Sequence, residues 1–235
     1  MNSISRRSFF SQATVGLATL TTLGIPANTE PIYTVPEWKM AEFQQLLKQR
    51  AQVKQMYDVA NIEDGNFLLH IKNSLDGLQF GFGVPANRIK IVSAMRGAAN
   101  LVNFDDYVWE KYNLGELLHI KDLKTGKPAT RNIYYPSDAG NPPKYASQNP
   151  NDRKSLFQDT SIQALQSRGV QFLSCHMATE GWAQHIIQKK KLSLQPEEVT
   201  RDMQSHILPG VLIVPSMVAA VALLQSQGRF SYIRV

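Results

Sequence analysis

Five short runs of apolar and β-branched residues, spaced by helix-type segments, limit what this chain can fold into more than any other feature. Val53 to Val59 alternates apolar and polar residues, as a half-buried strand does. Arg88 to Ala94, Gly169 to Cys175 and Val211 to Val214 are nearly continuous apolar runs, the pattern of strands covered on both faces. Arg229 to Val235, after the turn residue Gly228, is the fifth. Strands alternating with helices predict a mostly parallel sheet of about five strands in a three-layer α/β domain.

The intervening segments support this. Phe67, Leu68, Ile71, Leu75 and Leu78 form a helical stripe that ends near Gly81-Phe82-Gly83. Asp105 and Asp106 open a helix carrying Tyr107, Val108, Trp109 and Tyr112; Asn103, Asp105 and Asp106 read as residues that cap and start it. Further helices are expected over Ser155 to Ser167, Ala178 to Gln188 and Gln195 to His206, and from a Ser216 N-cap to Gln227. Ahead of the first strand, Trp38, Phe43, Leu46 and Leu47 predict a helix from Glu37 to about Gln52 that packs as an N-terminal extension. Gly115 to about Asn151 is rich in Lys, Thr, Gly, Pro and Asn and reads as a long excursion, a length that usually marks a functional segment.

The start of the chain reads as an address. Ser5-Arg6-Arg7-Ser8-Phe9-Phe10 precedes an uncharged apolar stretch, Ala13 to Ile25, then Pro26-Ala27. Paired arginines before a short apolar region describe a twin-arginine export signal over residues 1–27, which sends a folded protein to the periplasm. Ile25 stands where a cleavage site prefers a small residue, so an uncleaved segment acting as a membrane tether is the alternative. Residues 28–52 are then the extension and 53–235 the α/β domain. Without Arg6 and Arg7 the chain has 23 basic against 19 acidic residues, a net +4, too mild to imply nucleic-acid binding.

Cys175 is the only cysteine, which excludes an intrachain disulfide. It stands at the end of an apolar strand before a helix, the edge of an α/β sheet where ligands and chemistry collect. Backbone N–H groups and the positive end of a helix dipole there favour a nucleophilic thiolate. Free cysteine is equally common as a small core residue, so position alone leaves both roles open. His176, next in the chain, is a candidate to relay a proton, unless its ring points away. Arg96, in the loop after the second strand, is a candidate to hold an anionic sulfur species, its alternative being a structural salt bridge. The five histidines lack zinc-type spacing and no glycine-rich phosphate loop joins a strand to a helix, so no metal or cofactor is expected.

In their order along the chain, Ile89 to Gly97, Asn103-Phe104-Asp105-Asp106-Tyr107-Val108-Trp109-Glu110-Lys111-Tyr112, Gly169-Val170-Gln171-Phe172-Leu173-Ser174-Cys175, Leu208-Pro209-Gly210-Val211-Leu212-Ile213-Val214-Pro215-Ser216 and Leu224 to Ile233 resemble the DsrE/DsrF-like family, in an exported branch. The resemblance covers roughly Val53 to Val235. It implies a flavodoxin-like fold, homo-oligomers, and a strand-end cysteine that carries sulfane sulfur as a persulfide; only Cys175 matches that residue. It also implies a sulfur donor or acceptor, either a partner protein or a small sulfur anion. Two features depart from the family: Met217 replaces the usual glycine after the serine, and the well-studied carriers work in the cytoplasm. Two readings stand at this point. One is a sulfurtransferase or sulfur carrier using Cys175; the other is a non-catalytic oligomeric binding module whose cysteine is structural.

Overall fold

The computed structural model describes residues 38–136 and 160–235; the segment expected to be an export signal, the start of the expected extension and residues 137–159 lie outside them. Five strands, β1 (Val53–Val59), β2 (Ile89–Met95), β3 (Gln171–Cys175), β4 (Leu212–Val214) and β5 (Ser231–Arg234), form one sheet in the order β4-β3-β2-β1-β5. Every pairing is parallel. Helices α1 (Met40–Lys48), α2 (Asn66–Asp76), α3 (Asp106–Lys111), α4 (Leu114–Leu117), α5 (Ile162–Ser167), α6 (His176–Lys190), α7 (Pro196–Ser205) and α8 (Met217–Ser226) flank it. The result is a three-layer α/β fold of the flavodoxin-like kind.

Handedness decides which helix lies where. The chain steps from β1 through β2 and β3 to β4 in one direction, so right-handed crossovers place α2 to α7 on one face. From β4 it returns across the whole sheet to β5 beside β1, which sends α8 to the opposite face. Flavodoxin itself reverses after its second strand; here the reversal waits for the last. The buried side chains follow this division. Tyr57, Val59, Ile91, Met95 and Phe172 pack with Phe67, Ile71, Trp109, Leu165, Ile186 and Val199 from the crowded side. Met56, Val92, Ala94, Leu173, Cys175, Leu212 and Val214 pack with Phe43, Leu46 and Leu47 of α1 and Met217, Ala220 and Leu224 of α8.

One crossover helix cannot cover a five-stranded face. The helix expected as an N-terminal extension supplies the rest, so α1 is part of the third layer. It is shorter than the sequence suggests: Gln49 is extended (φ −58°, ψ 136°), and the Lys54 ammonium closes the final turn by donating to the carbonyls of Leu47 and Gln49 at 3.3 and 2.8 Å.

Most other elements fall where expected. Gln195, Pro196 and Glu198 open α7 with a reciprocal capping box, and Asp105 caps α3 by accepting from the Val108 N–H at 3.3 Å. Asn103 instead donates from Nδ2 to the Leu173 carbonyl at 3.2 Å, a bridge to β3. α4 runs into the start of the excursion, which also holds a bridge between Lys121 and Pro128; the segment over 155–167 begins its helix at Ile162, with Ser161 as N-cap. β5 is not buried on both faces. As an edge strand its residues are exposed or half-exposed, and its four-residue length limits the unpaired edge. Among the described residues no helix is long and apolar enough to cross a membrane.

A buried ion cluster ties α2 to the turn before β3. Asp76 accepts the Lys72 ammonium at 2.9 Å and lies 2.8 Å from Arg168 Nη2, with all three side chains nearly solvent-free. Removing the one carboxylate takes away the counter-charge that two buried cations share. Asp76→Ala should therefore destabilise the fold by about 3–5 kcal/mol in urea unfolding; a change under about 1 kcal/mol would mean the cluster is solvated.

Candidate functional site

The site is built at the carboxyl edge of the sheet, on the face covered by α1 and α8. Side chains alternate along a strand. Asp58 therefore shares a face with Met56, Arg96 with Val92 and Ala94, and Cys175 with Leu173. Tyr232 pairs with Met56 and Arg234 with Asp58, which puts both on that face too. Met95 pairs with Ser174, so Arg96 and Cys175 are the next residues along two hydrogen-bonded strands. Arg96 is still extended there (φ −141°, ψ 179°), and its N–H donates to the Val59 carbonyl at 2.9 Å. Gly97 follows with φ +54°; a Cβ at this position would stand 2.7 Å from the Ala60 carbonyl oxygen, so the turn beside the site requires glycine.

Two helices point their N-termini at the sulfur. Cys175 is the N-cap of α6, and its Sγ accepts from the Ala178 N–H at 3.4 Å. The Met217 N–H, first in α8, donates to the same sulfur at 3.3 Å. The Met177 N–H donates to the Pro215 carbonyl at 3.3 Å and locks the two helix starts together. Ser216 is the N-cap of α8, as expected, but its side chain makes no capping bond; the cysteine sulfur takes an N–H there instead. Met217, where the resembling family carries glycine, is buried against the core and needs no special backbone.

Behind the cysteine, a buried amide fixes the main chain. Asn100 Oδ1 accepts from the Cys175 N–H at 2.7 Å and from the Ser174 hydroxyl at 3.0 Å. Its Nδ2 donates to the Cys175 carbonyl at 3.3 Å and to the Thr179 hydroxyl at 3.0 Å. One side chain thereby holds both backbone groups of the residue that carries the sulfur. Asn100 stands out in the sequence only as one of two polar residues, with Asn103, in the otherwise apolar stretch from Gly97 to Phe104.

Arg96 is engaged in the salt bridge foreseen as its structural alternative. Nε and Nη2 donate to the two oxygens of Asp58 at 2.7 and 3.0 Å, and the Tyr232 hydroxyl donates to Oδ2 at 2.7 Å. Burial pushes the Asp58 carboxyl up, but the bonds from Arg96 and Tyr232 and the nearby Arg234 outweigh it and hold the group below the usual carboxylate range. The same contact raises the Tyr232 phenol. Neither Asp58 nor Tyr232 is marked in the sequence, since their meeting depends on β5 lying beside β1.

The hydrogen bonds to the sulfur do not come from His176. Its Nδ1 accepts from Gln204 Nε2 of α7 at 2.9 Å, and its ring packs edge-on against Trp38 at 5.3 Å. The chain neighbour thus joins α6 to α7 and to the start of α1, not to the thiol. Cys175 is 5% exposed. Among the described residues no group of three His, Cys, Asp or Glu side chains is placed to hold a metal ion. Comparisons with protein-family models, with curated proteins and with solved structures each give no match.

The Asp58 carboxyl lies below its unfolded value, so its contribution to stability is complete above about pH 4 and is lost as pH falls through its lower folded value. Asp58→Asn should cost about 2 kcal/mol at pH 7. It should also flatten the loss of stability between pH 5 and pH 2 in urea unfolding; an acid limb as steep as that of the wild type would assign the loss to other carboxylates.

Proposed function

We propose that this chain is a sulfur-relay protein of the DsrE/DsrF-like kind, in which Cys175 takes up a sulfane sulfur as a persulfide and passes it on. The observation that carries the reading is the convergence of two helix N-termini on Sγ. Main-chain donors from Ala178 and Met217 stabilise negative charge on sulfur, whether on the attacking thiolate or on the persulfide that replaces it. The clamp by Asn100 keeps that sulfur in place without a mobile side chain.

In the first step the Cys175 thiolate attacks the sulfane sulfur of a donor. A bond from Sγ to that sulfur forms, the donor's S–S bond breaks, and the leaving group departs with the electron pair. In the second, an acceptor thiolate attacks the outer sulfur and restores the Cys175 thiolate. No second cysteine is needed, because the resolving thiol belongs to the acceptor. Met177 and Val218, 62% and 69% exposed, lie in the first turns of the two helices that face the sulfur and give an acceptor an apolar rim to meet. Arg6 and Arg7 ahead of the apolar segment favour export by the twin-arginine route, which cell fractionation tests, and the resemblance favours a homo-oligomer.

The low exposure of Cys175 favours a second reading, in which the sulfur is a structural cap for α6 and α8 within a non-catalytic assembly module. Mass spectrometry of the intact protein after treatment with polysulfide separates the two. The relay reading expects a gain of about 32 Da per chain, one sulfur atom. Cys175→Ser should abolish that gain and change the unfolding free energy by less than about 1.5 kcal/mol, since a near-isosteric oxygen can still accept both N–H groups. No mass gain in the wild type, with a thiol that reacts only once the chain is unfolded, would establish the structural cap.

A further inference from the structure

We propose that a cavity at the amino edge of the sheet binds a small hydroxylated carboxylic acid, of which a sugar acid is the type. The cavity has a volume of about 490 Å³ and is lined by Leu46 and Gln49 at the end of α1, Lys90 of β2, Gln166 of α5, Gln171 of β3 and Gly210 ahead of β4. That volume is in the range of small-molecule sites. The starts of β2, β3 and β4 form it, whereas Cys175 ends β3, so it is separate from the sulfur site and independent of the relay reading.

Lys90 is the feature that calls for a ligand. β2 is the central strand of the sheet, and Lys90 is its only charged residue. Alternation puts Lys90 on the face of Val92, under the layer made by α1 and α8. Beside it in register and on the same face stands Lys54, which spends its ammonium on the carbonyls of Leu47 and Gln49. Among the described residues Lys90 forms no ion pair and no hydrogen bond, and no carboxylate lines the cavity. A half-buried cation next to a second one, without a counter-charge, is unfavourable until an anion enters.

The walls select what the anion is attached to. Gln171 spends both amide N–H groups, on the Gly210 carbonyl at 2.7 Å and the Phe172 carbonyl at 3.0 Å, and Gln166 spends one on the Pro209 carbonyl at 2.8 Å. These bonds lash the turn before β3 to the turn before β4, so the wall is built before a ligand arrives. They leave the two amide oxygens as acceptors, which only a ligand with hydroxyl or N–H donors can use. Gly169, with φ +86°, has open space where a side chain would stand, which leaves room for the body of such a ligand. One lysine balances one negative charge, which suits a carboxylate better than a phosphate dianion.

Calorimetric titration of the full chain with glucuronate, glucose, acetate and glucose 6-phosphate tests the assignment. Glucuronate should bind with a dissociation constant of about 1 mM or tighter. Glucose, which lacks the charge, and acetate, which lacks the hydroxyls, should each bind at least roughly tenfold more weakly. Lys90→Gln should weaken glucuronate roughly tenfold and leave glucose unchanged. Amide resonances of Gly169, Gln171 and Gly210 in the wild type should shift on titration with glucuronate, a readout that also serves if the glutamine variant does not fold. Absence of glucuronate binding, shifts confined to other residues, or an unchanged affinity in Lys90→Gln overturns the site. Tighter binding of glucose 6-phosphate than of glucuronate overturns the carboxylate class.

Discussion

The handedness of strand crossovers sets everything distinctive about this molecule. Three right-handed steps in one direction crowd helices onto one face of the sheet, and the single return from β4 to β5 puts α8 on the other. Cys175 ends β3 on the α8 side, next to the strand from which α8 starts. Its sulfur therefore meets the first N–H of α8 as well as one from its own helix, α6. The same return lays β5 beside β1, which brings Tyr232 to Asp58 and makes the anchor for Arg96. A topology with the last strand elsewhere would have neither arrangement.

The fold was legible in the sequence because its signals are local. Apolar runs such as Val211 to Val214 and capping patterns such as Gln195-Pro196-Glu197-Glu198 act within a few residues, and the parallel sheet follows from their alternation. The position of Cys175 at a strand end was legible for the same reason. Its second helix N-terminus was not, since Met217 is 42 residues away and its approach depends on strand order. Asn100 is 75 residues from Cys175, and Tyr232 is 174 from Asp58. No spacing rule reaches such pairs. His176 shows the converse: adjacency in sequence suggested a shared task, yet a residue at the first position of a helix turns away from its N-cap, here toward α7.

Burial and reactivity pull on the sulfur in opposite directions. Packing against Leu173, Val214 and Met217 makes Cys175 a core residue by area, and an apolar wall alone would suit an inert thiol. In the proposed relay, the two main-chain donors aimed at one sulfur are what a persulfide would use. The surrounding polar construction is rigid: the Asn100 clamp is completely satisfied, and Asp58 accepts from both Arg96 and Tyr232.

Whether the sulfur can be reached in the folded protein tests the account most directly. Titration of the native protein at neutral pH with a small aromatic disulfide reagent, compared with the same titration in denaturant, gives the answer. The account predicts one thiol per chain reacting in the native state, at a rate that does not follow global unfolding as denaturant is added. A thiol that reacts only after unfolding would make Cys175 a structural cap and contradict the central claim.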